Sequence, residues 1–80
     1  MTTIIGIKLE NRIELAEALQ KILTRHGCAI KTRLGIPHTI SGECTNEGII
    51  LLELTDDSLK ERVIEDLKRL KDIEIKHFEF

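Results

Sequence analysis

The chain predicts an α+β fold, a four-stranded antiparallel sheet with two helices on one face, because a strand–helix–strand phrase occurs twice in 80 residues. The first phrase occupies residues 3–9, 12–26 and 28–36, and the second residues 48–54, 58–71 and 73–80. In each, two-residue apolar alternation gives way to apolar positions three and four apart, then returns. A chain this short is one domain, residues 1–80, with the first and third strands in the middle of the sheet.

In the first strand Ile5, Ile7 and Leu9 share one face, and Ile4, Gly6 and Lys8 the other. Asn11 is placed to cap the first helix, with Glu14 completing a capping box. Leu15, Ala18, Leu19, Ile22 and Leu23 form its apolar stripe. Gly27 is expected to stop the helix in the left-handed conformation. Alternation in the second strand puts Cys28, Ile30, Thr32, Leu34 and Ile36 inward, and Lys31, Arg33 and Gly35 outward. Pro37 has no N–H for a strand ladder and is expected to end this strand. Residues 37–47 then read as a long loop, of a length that tends to be functional or mobile.

In the third strand Ile50, Leu52 and Leu54 face inward, and Ile49, Leu51 and Glu53 outward. Ser58 and Glu61 make a second capping box, and Leu59, Val63, Leu67 and Leu70 a second core stripe with Ile64 beside it. The charged face, from Lys60 to Arg69, reads as solvated. In the last strand Ile73 and Ile75 alternate, then the apolar phase moves to Phe78 and Phe80. Either a bulge shifts the strand or the aromatics serve a neighbouring subunit; the second is favoured, since these are the only two aromatics.

A net charge of −2 and a pI near 5.9 argue against non-specific nucleic-acid binding, which needs a basic surface. The longest apolar run, residues 48–52, is far too short to span a membrane, and the N-terminus has no basic region before its apolar strand and no cleavage-like site, so it does not read as a signal peptide. A cytoplasmic setting is expected, with Cys28 and Cys44 reduced.

The sheet face away from the helices carries Ile4, Ile49 and Leu51, with Phe78 and Phe80 available to extend it. Both helices are already assigned to the other face, so this surface predicts self-association as a dimer or tetramer. Burying two such faces removes roughly several hundred Å² of apolar surface, on the order of 10 kcal/mol before association costs. Lys31, Arg33 and Glu53 are candidates to set its register by charge.

The run Arg33-Leu34-Gly35-Ile36-Pro37-His38, followed by an apolar third strand and the opening Thr55-Asp56-Asp57, resembles the iron-only hydrogenase system regulators. The ending Lys71-Asp72-Ile73-Glu74-Ile75-Lys76 is similar to that family's last strand, with Asp72 in place of the usual glycine. The resemblance covers nearly the whole chain and implies an ACT-like, ferredoxin-like βαββαβ sandwich, similar to the effector domain of the nickel-responsive repressor. It implies a regulatory or accessory domain that senses a small effector at a subunit interface. Two departures matter. The turn Glu10-Asn11-Arg12 lacks the glycine of amino-acid-binding ACT domains, and the chain opens directly on its first strand, without the DNA-binding segment of the nickel repressors.

His38 and Cys44 lie six positions apart, a spacing similar to a His and Cys of the nickel repressor's metal site. Imidazole and thiolate together suit nickel, zinc or copper. Ile36 stands where a further His would be needed, which leaves His77, His26 or Cys28 of another subunit to complete the set. Cys28 reads as a small buried hydrophobe and Cys44 as exposed. His26, in the last turn of the first helix, reads as a favourable partner of the helix dipole. Arg33 is the best-placed anion contact, since a guanidinium clamps a carboxylate or phosphate with two bonds. Gly35, Pro37 and His38 join it as candidate ligand-binding residues beside the long loop. No phosphate loop, hydrolase elbow, CxxC pair or convergent carboxylate pair is present. The expectation is a binding domain without catalytic residues or an implied cofactor. A metal-binding protein and a ligand-free interaction module are the alternatives.

Overall fold

Residues 1–80 are described by a computed structural model. The alternation of the first strand, β1 (Thr3–Leu9), continues as expected into helix α1 (Arg12–Arg25). A 3-10 turn (Gly27–Ala29) leads to β2 (Ile30–Ile40), β3 (Glu43–Leu54), a second 3-10 turn (Asp57–Leu59), α2 (Lys60–Leu67) and β4 (Ile73–Glu79). The sheet order is β2-β3-β1-β4, all antiparallel, so the fold is the ferredoxin-like βαββαβ sandwich with β1 and β3 central. Eleven buried hydrophobic side chains form the core. They include Ile5, Ile7 and Leu9 of β1, Leu52 and Leu54 of β3, Leu19, Ile22 and Leu23 of α1, and Val63 and Leu67 of α2. Leu15 packs at the edge of this core, whereas Ala18 is exposed.

The turn after α1 departs from the sequence reading. Gly27 opens a 3-10 turn and has no left-handed φ, and the residue buried there is Ala29; Cys28 is exposed. The chain therefore enters β2 two residues later than expected. A register shift between Ile30 and Thr32 then places Lys31 in a bulge. Ile30 pairs with inward Leu54, but Arg33 pairs with inward Leu52, and Leu34 with outward Leu51. From Thr32 onward every side chain takes the face opposite to the one expected. Arg33, Gly35 and Pro37 turn to the helix side, and Thr32, Leu34 and Ile36 to the open side.

Pro37 does not end the strand. It lies in β2, an edge strand where a missing N–H is tolerated, and pairs with Gly48 of β3. Residues 37–47 are thus the end of a hairpin, not a loop. Ile40 faces Glu43 across the two-residue turn Ser41-Gly42, whose φ values of 52° and 81° are those that primed hairpin turns demand. A second irregularity, between Pro37 and Thr39, bulges β3 outward at residues 45–47.

That bulge docks on the start of α1. Asn46 Oδ1 accepts the Ile13 backbone N–H at 2.9 Å, so Asn46, rather than Asn11, caps the helix. Asn46 Nδ2 in turn donates to Asn11 Oδ1 at 2.6 Å, and Asn11 holds Glu14 side chain to side chain at 3.2 Å. The second expected capping box is replaced similarly. Asp56 accepts the Ser58 N–H at 2.9 Å, which holds its carboxyl below the ordinary 3.8.

β4 pairs with β1 without a break from Thr3–Glu79 to Leu9–Ile73, so there is no bulge. Phe78 falls beside Ile4 on the open face, and two backbone bonds join Thr2 to Phe80. The apolar phase changes because the helix side is polar at this end. Lys60 of α2 donates to Glu79 at 2.6 Å, and His77 Nδ1 lies 3.4 Å from the same carboxylate oxygen. The Lys60 bond holds Glu79 below the ordinary carboxylate range, and Lys60 is raised in turn. The charged face of α2 is therefore not wholly solvated. Its Asp66 meets His26 Nε2 at 2.6 Å and Arg25 at 3.3 Å, tying α2 to the end of α1.

Candidate ligand-binding cleft

The Lys31 bulge assembles the candidate site, because it brings Arg33, Gly35 and Pro37 of β2 onto the side occupied by α1. Between that helix and the β2–β3 hairpin lies a cleft of about 370 Å³, within the range of small-molecule sites. Leu9, Leu19 and Ile50 supply apolar wall, and Arg12, Gln20 and Arg33 supply its polar groups. On α1 the contributors Arg12, Ala16 and Gln20 recur every four residues, one helical stripe beside the core stripe. Ala16, being small, keeps that stripe from filling the space.

Two glycines shape the cleft from the strands. Gly48 permits a close approach: a Cβ there would sit 3.3 Å from both the Arg12 side chain and the Ile36 carbonyl. Gly35 leaves space, since a Cβ there would meet nothing within 4 Å. Arg12 is held from the far side. One terminal N–H donates to the Thr45 carbonyl at 2.9 Å, while its Nε is buried and has no partner. Arg33 donates to Gln20 Oε1 at 2.9 Å. It does not reach Glu53, which is met instead by Thr32 at 2.9 Å and Lys31 at 4.0 Å.

Of the residues expected to bind a ligand, Arg33, Gly35 and Pro37 line this cleft together. His38 does not. It lines an adjoining hollow of about 120 Å³ with Lys8 and Glu47, which shares Pro37 and Gly48 with the cleft. Arg12 and Gln20 are additions that the four-residue spacing on α1 could have disclosed once Arg33 was turned toward it.

His38 and Cys44 stand on opposite strands of the hairpin, with Cys44 paired to Thr39. No three His, Cys, Asp or Glu side chains converge as a metal cluster, so a metal at this pair needs ligands from outside the chain. His26 and His77 are each engaged with a carboxylate.

The open face holds all five residues expected at an interface. Ile4 and Phe78 form one row, Leu51 and Ile49 lie on β3, and Phe80 packs edge-on to Phe78 with centroids 5.5 Å apart. The bulge adds Leu34 beside Leu51 and Ile36 beside Ile49, 54% and 44% exposed. The apolar face is thus larger than alternation alone assigns. No helix is long and apolar enough to cross a membrane.

No protein-family model matches this chain. No curated protein matches it either. Among solved structures, the chain is similar to an uncharacterized protein from Thermotoga maritima, at 24% identity and a TM-score of 0.76, covering 96% of this chain and 92% of that one. It is also similar to a protein from Thermus thermophilus described as PII-like and assigned to signaling, at 14% identity and a TM-score of 0.59, covering 96% and 85%. A third likeness is to the de novo designed protein Foldit4, at 15% identity and a TM-score of 0.56, covering 99% and 96%. At these identities the likeness is one of fold. That natural chains and a designed one share it leaves function to be argued from the site.

Proposed function

We propose that this chain is a small regulatory domain that takes a small effector in the α1–β2–β3 cleft and self-associates through its open sheet face. The observation that carries this reading is that the two surfaces share residues. Ile36 and Ile49 line the cleft and also stand on the exposed apolar face. A ligand that shifts the hairpin shifts the packing surface with it, which is the differential contact a population shift requires. The cleft lining includes no Ser, Cys, His, Asp or Glu, which supports binding over catalysis. The resemblance of residues 33–38 to iron-only hydrogenase system regulators and the likeness to a PII-like protein support a regulatory setting.

The test is sedimentation of the wild type against Leu34→Glu and Leu51→Glu. Both positions face outward from the sheet, so the variants keep their helices, checked by circular dichroism. The expected outcome is a wild-type dimer or tetramer and monomeric variants. Variants that sediment with the wild-type mass would sink the assembly model.

A further inference from the structure

We infer that the cleft is built for a small organic carboxylate with an apolar body and no ammonium group. This rests on the reading of the cleft as an effector site and narrows its ligand. Two of the lining side chains, Arg12 and Arg33, are cations, and none is an acid. Neither arginine takes part in any ion pair of the chain, although the chain has more acids than bases. Arg12 gives one terminal N–H to the Thr45 carbonyl, a neutral acceptor that leaves the guanidinium charge without a counter-ion. The rest of the lining is largely aliphatic or glycine. An anion with a hydrocarbon body satisfies both halves: its carboxylate takes the guanidinium donors, and its chain covers Leu19 and Ile50. An α-amino acid would bring an ammonium to a site with two positive charges and no carboxylate to receive it.

The experiment is a titration followed by the amide resonances of Ala16, Gly48 and Ile50, which line the cleft and are present in every variant. The probes are isocaproate and phenylacetate, their neutral amides, and isoamylamine, each up to about 10 mM, which covers millimolar affinities. Three proteins are compared: wild type, Arg33→Gln and Gly35→Val. The valine enters open space on the cleft side and suits a strand, so this variant keeps the fold while its side chain narrows the cleft and obstructs a ligand there. The expected result is that at least one acid shifts these resonances and binds roughly tenfold or more tightly than its amide. Arg33→Gln removes that advantage and Gly35→Val abolishes the shifts. Amides that bind as well as the acids, and are blocked by Gly35→Val, overturn the carboxylate assignment and leave the effector cleft standing. So does an amine that outbinds both acids. No shift with any probe, or shifts that survive Gly35→Val, overturn the cleft itself.

Discussion

Asn46 sits on a bulge of β3 yet caps α1, so one amide side chain joins the hairpin to the start of the helix. Losing an N-cap of this kind costs about 1 kcal/mol. Asn46→Ala is therefore expected to lower stability by about that much in urea denaturation, whereas Asn11→Ala, which removes no helix cap, costs less. Asp66 offers a second test at this scale. Its hydrogen bond from His26, with a further contribution from Arg25, holds its carboxyl below the ordinary 3.8. The folded protein then binds fewer protons than the unfolded chain in that range. The resulting stability is fully present above about pH 4 and is lost as pH falls through the depressed value. Glu79, lowered by Lys60, acts in the same direction. Lys60 is raised, so its share persists at neutral pH and is lost only in strong alkali, above its ordinary 10.5. Asp66→Asn should flatten the acid limb of the stability–pH curve, measured by thermal unfolding from pH 2 to 7. An unchanged acid limb would contradict the pairing seen with His26.

At the scale of elements, all six strands and helices are legible, because β1, residues 48–54 of β3 and the two helical stripes carry patterns that no local irregularity interrupts. β2 was legible as a strand but not in its facing. Ile30, Thr32, Leu34 and Ile36 fall in one unbroken phase, and a bulge at Lys31 leaves no mark in such a pattern. Arg33, Gly35 and Pro37 nevertheless line one cleft together, because the shift of phase turns all three to the helix side at once. Pro37 misled on the strand end because the rule against proline in a sheet relaxes at an edge. With the strand ended at Pro37, the Ser41-Gly42 turn has no flanking strands in the sequence pattern to mark it as a hairpin. Asn46 was not legible as a cap, because it acts across 33 positions of sequence. Asp72, noted as the residue in a glycine position, has a φ of 59°, the left-handed region that glycine favours and Asp tolerates. The hairpin reading has its own test. Ser41→Asn supplies the Asn-Gly pair preferred where both turn residues have positive φ, and should raise stability by about 0.5 kcal/mol, the lower end for a single stabilising substitution. Destabilisation by that substitution would contradict the two-residue turn.

As a whole molecule, the domain has a small core and a large exposed apolar sheet. Eleven buried hydrophobic side chains are a modest core for 80 residues, for which a stability of about 4–12 kcal/mol is ordinary. On the far side Leu34, Ile36, Ile49 and Phe78 remain between 42% and 54% exposed, and Phe80 78%. A second copy covering them, as proposed, would add stability through mass action and would place the hairpin that walls the cleft against the neighbouring subunit. Native mass spectrometry of the wild-type protein, purified in reducing buffer and held at micromolar concentration, addresses this directly by counting subunits. The expected mass is that of a dimer or tetramer. A monomer at every concentration tried would contradict it, because the open face would then be an exposed surface and not an interface.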